Sequence, residues 1–174
     1  METDRLVLRR SVPGDAEAIS AYRSLPDVRR FQGWERTDPD TLRAEIDLMS
    51  HRTPGDRGWV QLSVLERDGG RLVGDVGMSP AEGEPGVMKI GYTVDPAFQG
   101  RGYATEAVAA LVRYLFDGLG VEIVRMYADA DNIASIRVAE KVGMRLEERF
   151  HRTSDDESWE GVRYEVARDG AASS

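Results

Sequence analysis

The chain has 174 residues, 41% hydrophobic and 31% charged, a soluble globular composition that supports one substantial core and disfavours two domains. Its 23 basic and 31 acidic side chains leave a net charge of −8, which opposes nonspecific nucleic-acid binding and favours a cationic partner. Zero cysteines remove disulfides and thiolate ligands, no apolar run approaches the roughly 20 residues of a membrane span, and no apolar leader follows Met1; the expectation is a cytoplasmic protein with no membrane partner.

Residues 4 to 10 alternate, Leu6 and Leu8 against Arg5, Val7 and Arg9, as a half-buried strand does. Pro13-Gly14-Asp15 breaks it, and Asp15 is placed to cap a helix with Ala18, Ile19 and Tyr22 on its inner face, ending near Pro26. Phe31-Gln32-Gly33-Trp34-Glu35 reads as a loop whose two aromatics either cover a core edge or line a pocket. Asp38 and Pro39 open a second helix, with Leu42, Ile46 and Met49 inward and Pro54-Gly55 as its stop. A strand follows over 58–67, Val60, Leu62 and Val64 opposing Trp59, Gln61, Ser63 and Leu65. Asp68-Gly69-Gly70 turns the chain, and the returning strand over 71–79 carries Gly74 and Gly77, where other groups can approach closely.

A further strand spans 87–95. Ala104, Ala107, Val108, Leu111, Val112, Leu115 and Leu119 then hold helical spacing, with Gly118 and Gly120 as stops. Residues 121–130 form a strand with Val124, Met126, Ala128 and Ala130 opposite Arg125, Tyr127 and Asp129. A short helix runs from Asn132 through Lys141 and ends at Gly143. The last strands, 144–149 and 162–166, flank a polar loop over 153–158. The whole, 1–174, reads as a single domain ordered over about 4–168, with 169–174 as a tail. Lys89 and Lys141 are the only lysines, a bias that suggests a GC-rich bacterial genome.

Between strand and helix lies Gln99-Gly100-Arg101-Gly102-Tyr103-Ala104. A helix start carries unpaired N–H groups and partial positive charge, and glycines let a phosphate come close to them. Tyr103-Ala104 after the last glycine excludes a P-loop, which needs Lys and Ser/Thr there. A dinucleotide fingerprint fails for want of a third glycine and because the loop follows several antiparallel strands instead of the first strand of a βαβ unit.

The same six residues fit the Q/R-x-x-G-x-G/A signature of the GNAT superfamily of acyl-CoA-dependent N-acetyltransferases. Ile90-Gly91-Tyr92-Thr93-Val94-Asp95-Pro96 before it and Asn132 through Met144 downstream extend the likeness. Thr3 through Arg9 and Val28 through Trp34 resemble the branch of Rim-type ribosomal-protein N-terminal acetyltransferases and polyamine acetyltransferases, so the resemblance spans nearly the whole chain. It implies an α+β fold: a mixed, mostly antiparallel sheet of about seven strands flanked by about four helices, two splayed parallel strands forming an acyl-CoA cleft. It implies acetyl-CoA as cosubstrate and direct transfer of acetyl to a primary amine in a ternary complex; His51 and His151, the only histidines, have no pairing spacing, so no metal is expected. A protein N-terminus, a polyamine, an aminoglycoside-like molecule or another small amine would be the acceptor. A homodimer is left open. The rival is a non-catalytic acyl-CoA-binding regulatory module.

Carried onto this sequence, the resemblance gives Gln99, Gly100, Arg101, Gly102, Tyr103 and Ala104, with Thr105, as the pyrophosphate seat. Tyr92, Thr93 and Val94 offer backbone to pantetheine, with an N–H near Thr93 or Val94 polarising the thioester. Asn132 and Ser135 are candidates for CoA or the leaving sulfur, Asn132 alternatively being a helix cap. Lys141 either reaches the adenosine phosphate or is salt-bridged or solvated. Phe31, Trp34, Glu35 and Tyr127 are the candidate acceptor pocket. The chain departs from the family at two places: Ala139 stands where many members have a tyrosine acid, and Lys89 where many have a glutamate base. Water relayed to Glu35, Asp75 or Tyr127 is what remains for the base.

Overall fold

The computed structural model describes residues 1–32, 37–154 and 157–168, the side chains of 152–154 and 157–158 aside. Strands β1 (Leu6–Arg10), β2 (Val60–Glu66), β3 (Leu72–Pro80), β4 (Val87–Val94), β5 (Ile123–Asp129), β6 (Arg145–Ser154) and β7 (Glu157–Ala167) form one sheet in the order β1-β2-β3-β4-β5-β7-β6. Every neighbouring pair is antiparallel except β4 and β5. The described helices are α1 (Ala16–Arg23), α2 (Pro26–Arg29), α3 (Pro39–Ser50), α4 (Tyr103–Arg113) and α5 (Ile133–Lys141). Among the described residues no helix is long and apolar enough to cross a membrane.

Alternation along the strands separates the two faces of the sheet. Val60, Leu62, Val76, Met78, Met88, Ile90, Val124 and Met126 are buried in one cluster with Val108, Leu111 and Leu115 of the α4 segment. The opposite face of the same strands carries Gln61, Ser63, Asp75 and Thr93, all buried. Helices α1 and α3 cover that polar face, and Ala16, Ile19, Tyr22, Leu42 and Ile46 form their own small cluster. Buried polar groups must be paired, and these are. Arg9 grips Asp15 with two hydrogen bonds (2.7 and 2.8 Å), and Ser63 Oγ donates to Asp15 (2.7 Å). Asp75 accepts from Arg23 (2.9 Å), Tyr22 and Gln61.

Asp38 Oδ1 accepts from the Thr41 N–H (2.9 Å), with Pro39 in the first turn of α3, as the sequence leads one to expect. Asp15 is different. Its carboxylate is spent on Arg9, Ser63 and the Val12 N–H (3.0 Å), leaving α1 without a side-chain cap. Ala18 is exposed, and Ala16 takes the inner position instead.

The long helix also departs from its expected course. Regular α geometry ends at Arg113, and Tyr114–Gly118 is a π turn. The Tyr114 ring lies 3.1 Å from where a Cβ on Gly118 would sit. The wider turn changes the angular spacing, so Leu115 stays fully buried while Leu119 is 38% exposed. The final strands run further than expected, Thr153 pairing with Ser158 and Ser154 with Glu157. A two-stranded ribbon needs no buried face, so hydrophobic periodicity does not mark it.

Candidate active site

Strands β4 and β5 pair from Val87 with Ile123 to Ile90 with Met126, and no further. Beyond that point residues 91–94 pair only with β3 and residues 127–129 only with β7. The sheet therefore opens into a cleft. The Asp95 N–H donates to Val73 on β3 (3.0 Å), so alternation turns the Tyr92 and Val94 N–H groups to the open edge and the Thr93 N–H away from it. Of the two candidates for a thioester-polarising amide, Val94 has the right orientation.

At the end of β4, Asp95 accepts from the Ala97 N–H (2.9 Å), and Gln99 Nε2 donates to the Val94 carbonyl (3.1 Å). Gly100 (φ 75°) and Gly102 (φ 81°) then take left-handed backbone, which glycine adopts without strain. Among the described residues, none of the six consecutive N–H groups of residues 100–105 meets a protein acceptor. They gather at the N-terminus of α4, where the helix dipole adds positive potential. A Cβ on Gly100 would meet nothing within 4 Å, and one on Gly102 only Arg5 Nη2 at 3.5 Å. The amides and the space beside them make an anion seat for a group from outside the chain.

The seat is braced from β1. Arg5 Nη1 donates to the Arg101 carbonyl (2.9 Å), Arg5 Nε to Glu106 (2.7 Å), and Thr3 Oγ1 to Glu106 (2.6 Å). Burial alone would raise the Glu106 carboxyl, but the bonds from Thr3 and Arg5 outweigh it and hold it below the ordinary range. Tyr103 is turned out of the seat, its hydroxyl donating to Glu66 (2.8 Å) beneath the Arg5 guanidinium, 4.9 Å from the ring centre. Arg101 folds back to the Ala97 carbonyl (3.2 Å) and over Phe98.

Two candidates from α5 meet the cleft. The Tyr92 hydroxyl donates to Ser135 Oγ (3.1 Å), bridging β4 and α5. Burial raises the Tyr92 phenol, partly offset by that bond. Asn132 Oδ1 accepts from the Ser135 N–H (3.1 Å), the helix-cap alternative for this side chain. Ala139 is fully buried in the core. Lys141 is exposed at the opposite end of α5 from Ser135, with no ion pair among the described residues.

Across β4, on the polar face, lies a cavity of ≈ 510 Å³. Its floor is Trp59, whose indole lies over Gly77 and Gly91, 2.2 and 3.2 Å from where their Cβ atoms would sit. The indole N–H donates to Gln61 (2.7 Å), and Gln32 Nε2 to Thr93 Oγ1 (3.4 Å). Arg23, Glu45, Met49 and Arg52 complete much of its wall.

Of the acceptor-pocket residues expected from the sequence, Phe31 and Tyr127 do not line this cavity. Phe31 is half-buried under Arg30, and Tyr127 is 43% exposed beside Phe150, past the cleft on β5. Trp34 and Glu35 lie outside the described residues. Asp75, held by three donors at 3% exposure, ties α1 to the polar face of the sheet. Trp59, Glu45 and Arg52 were missed; the signal was Gly77 and Gly91, register partners on adjacent strands that leave room for one ring.

The sequence profile described as the acetyltransferase (GNAT) domain matches residues 5–145. The uncharacterised N-acetyltransferase YoaA of Bacillus subtilis is 31% identical over 148 residues, 84% of this chain and 83% of its own. A GNAT-family acetyltransferase from Bacillus anthracis superposes with a TM-score of 0.85 at 25% identity, covering 96% of this chain and 97% of that one. The spermidine N-acetyltransferase of Vibrio cholerae, solved with CoA and spermine, shares the fold (TM-score 0.80, 16% identity, 96% and 98% covered).

Proposed function

The chain belongs to the GNAT acetyltransferase family, and we propose that its two ligands approach β4 from opposite sides, acetyl-CoA over the loop before α4 and the acceptor amine through the Trp59 cavity. The enzyme moves an acetyl group from acetyl-CoA to an amine. Acetyl-CoA supplies an activated thioester. What carries the reading is the run of free amides at residues 100–105 beside an unpaired strand edge: the amides suit a pyrophosphate, and the edge suits pantetheine. Gln99 and Thr105 flank the seat, and the Val94 N–H is the oxyanion donor.

An alkyl ammonium of pKa near 10 is only about 0.1% neutral at pH 7, so a proton must leave the amine before attack. Water in the polar cavity takes it, because Asp75 is already engaged by Tyr22, Arg23 and Gln61. On the other side of β4, Ser135 keeps its own hydroxyl proton while accepting from Tyr92. This pair supplies the proton for the departing thiol, the task left open by Ala139. Asn132 serves through its cap, which fixes Ser135. Lys141 is left as a solvated side chain.

Gly102→Asn tests the seat. Asn tolerates left-handed backbone, yet its side chain would enter the space beside the amides. Calorimetry should show acetyl-CoA affinity at least about tenfold weaker, with little change in melting temperature. Unchanged affinity would overturn the placement.

A further inference from the structure

Resting on the reading that the amine enters through the Trp59 cavity, we infer that the acceptor is a monoamine with an apolar body and a carboxylate several bonds away, as in a short peptide with a free N-terminus, and that it is not a polyamine.

Among the described residues, four charged side chains line the cavity: Arg23, Glu45, Arg52 and Asp75. Arg23 and Asp75 neutralise each other at 2.9 Å, and Tyr22 and Gln61 take more of the Asp75 lone pairs. Glu45 and Arg52 are what an entering molecule meets. Among the described residues Glu45 has no hydrogen bond or ion pair, and Arg52 spends one N–H on the Trp59 carbonyl (3.1 Å), keeping its other donors. They stand seven positions apart at the C-terminal half of α3 and just past its end, about 10 Å along the axis.

Their order in the cavity is fixed by the sheet. Glu45 acts on Arg23, and so on the Asp75 end, which register places level with Thr93 beside the cleft. Arg52 packs over Gly58, 2.9 Å from where its Cβ would lie, next to Trp59 and further from the cleft. An ammonium is drawn to the Glu45 end, where transfer occurs, and an anion to the Arg52 end, where a guanidinium binds carboxylate in a fork. The Trp59 ring, Met49 and the 62% exposed Leu48 line the same cavity, a surface for an apolar side chain. A polyamine would bring a second ammonium against Arg52.

The test uses three acceptors, the dipeptide Phe-Gly, its C-terminal amide and spermidine, with acetyl transfer read as CoA thiol release and binding read by calorimetry with CoA present. Wild type should show KM about tenfold lower for the acid than for the amide and no turnover of spermidine. In Arg52→Ala the acid-to-amide ratio should fall to near one, with partial recovery in Arg52→Lys. A wild-type enzyme indifferent to the carboxylate, a ratio unchanged in Arg52→Ala, or preference for spermidine would overturn the inference, and turnover of spermidine would leave the acetyl-transfer reading standing. Acid-over-amide binding without thiol release would uphold the charge selection and overturn the placement of the reaction.

Discussion

Tyr92 and Ser135 show how one residue can combine two duties. Their hydroxyls join β4 to α5 at 3.1 Å, and burial keeps the phenol protonated well past neutral pH. Tyr92→Phe should therefore lower kcat by about 10- to 100-fold, the range of a lost proton donor, with KM for acetyl-CoA little changed. Its pH profile should lose the alkaline limb. A parallel fall in acetyl-CoA affinity would mark Tyr92 as a support for the cleft only. Asn132→Ala removes the α5 cap and should cost about 1 kcal/mol of stability, measured by urea titration; a loss near zero would mean that α5 is set by its packing alone. Gly102→Val is a poorer probe than Gly102→Asn, because a β-branched residue at φ 81° strains the loop whether or not a ligand comes there.

Among the elements, the loop and α4 were legible in the sequence because each rests on local chemistry: positive-φ glycines at 100 and 102, then a 3.6-residue apolar period. The proposed acceptor cavity was not, because it is assembled from α1, the end of α3, the approach to β2, and strands β3 and β4, most of them remote from one another in sequence. Trp59 precedes β2, Gly77 and Gly91 lie on β3 and β4, and Arg52 follows α3. Alternation told which side Trp59 faces but not what it lies on. The packing makes its own demand: Gly77→Ala would put a Cβ 2.2 Å from the Trp59 indole and should destabilise by about 1–3 kcal/mol, with the acceptor KM rising. A neutral effect on both would mean that the ring is free to move and does not form the floor. Alternation set Arg125 opposite Val124 and Met126, and the structure holds it 6% exposed between Glu84 and Glu165. Periodicity sees the alternation and not the carboxylates that neutralise the buried side.

The whole molecule sets an apolar face against a polar one, with the proposed donor loop on the α4 side and the proposed acceptor cavity on the other. The polar face ties stability to pH. Burial raises the Asp15 carboxyl, but Arg9, Val12 and Ser63 hydrogen bonds win and leave it lowered, as Thr3 and Arg5 do for Glu106. These contributions are present above the unfolded carboxylate range, about pH 4, and are lost as pH falls through the lower folded values. Melting temperature should hold from neutral pH down to about pH 5 and then drop. In Arg9→Gln the wild-type excess of stability should shrink as acid protonates Asp15; a constant difference at every pH would separate Arg9 from that titration. Fold and donor seat thus follow from local patterns, while acceptor choice depends on how the polar face closes. Amide hydrogen exchange with and without acetyl-CoA tests the proposed donor seat, on which the account rests, most directly. The free amides of residues 100–105 and the Val94 N–H should exchange quickly alone and slow at least about tenfold once acetyl-CoA is bound; acetyl-CoA binding with exchange at these residues unchanged would contradict it.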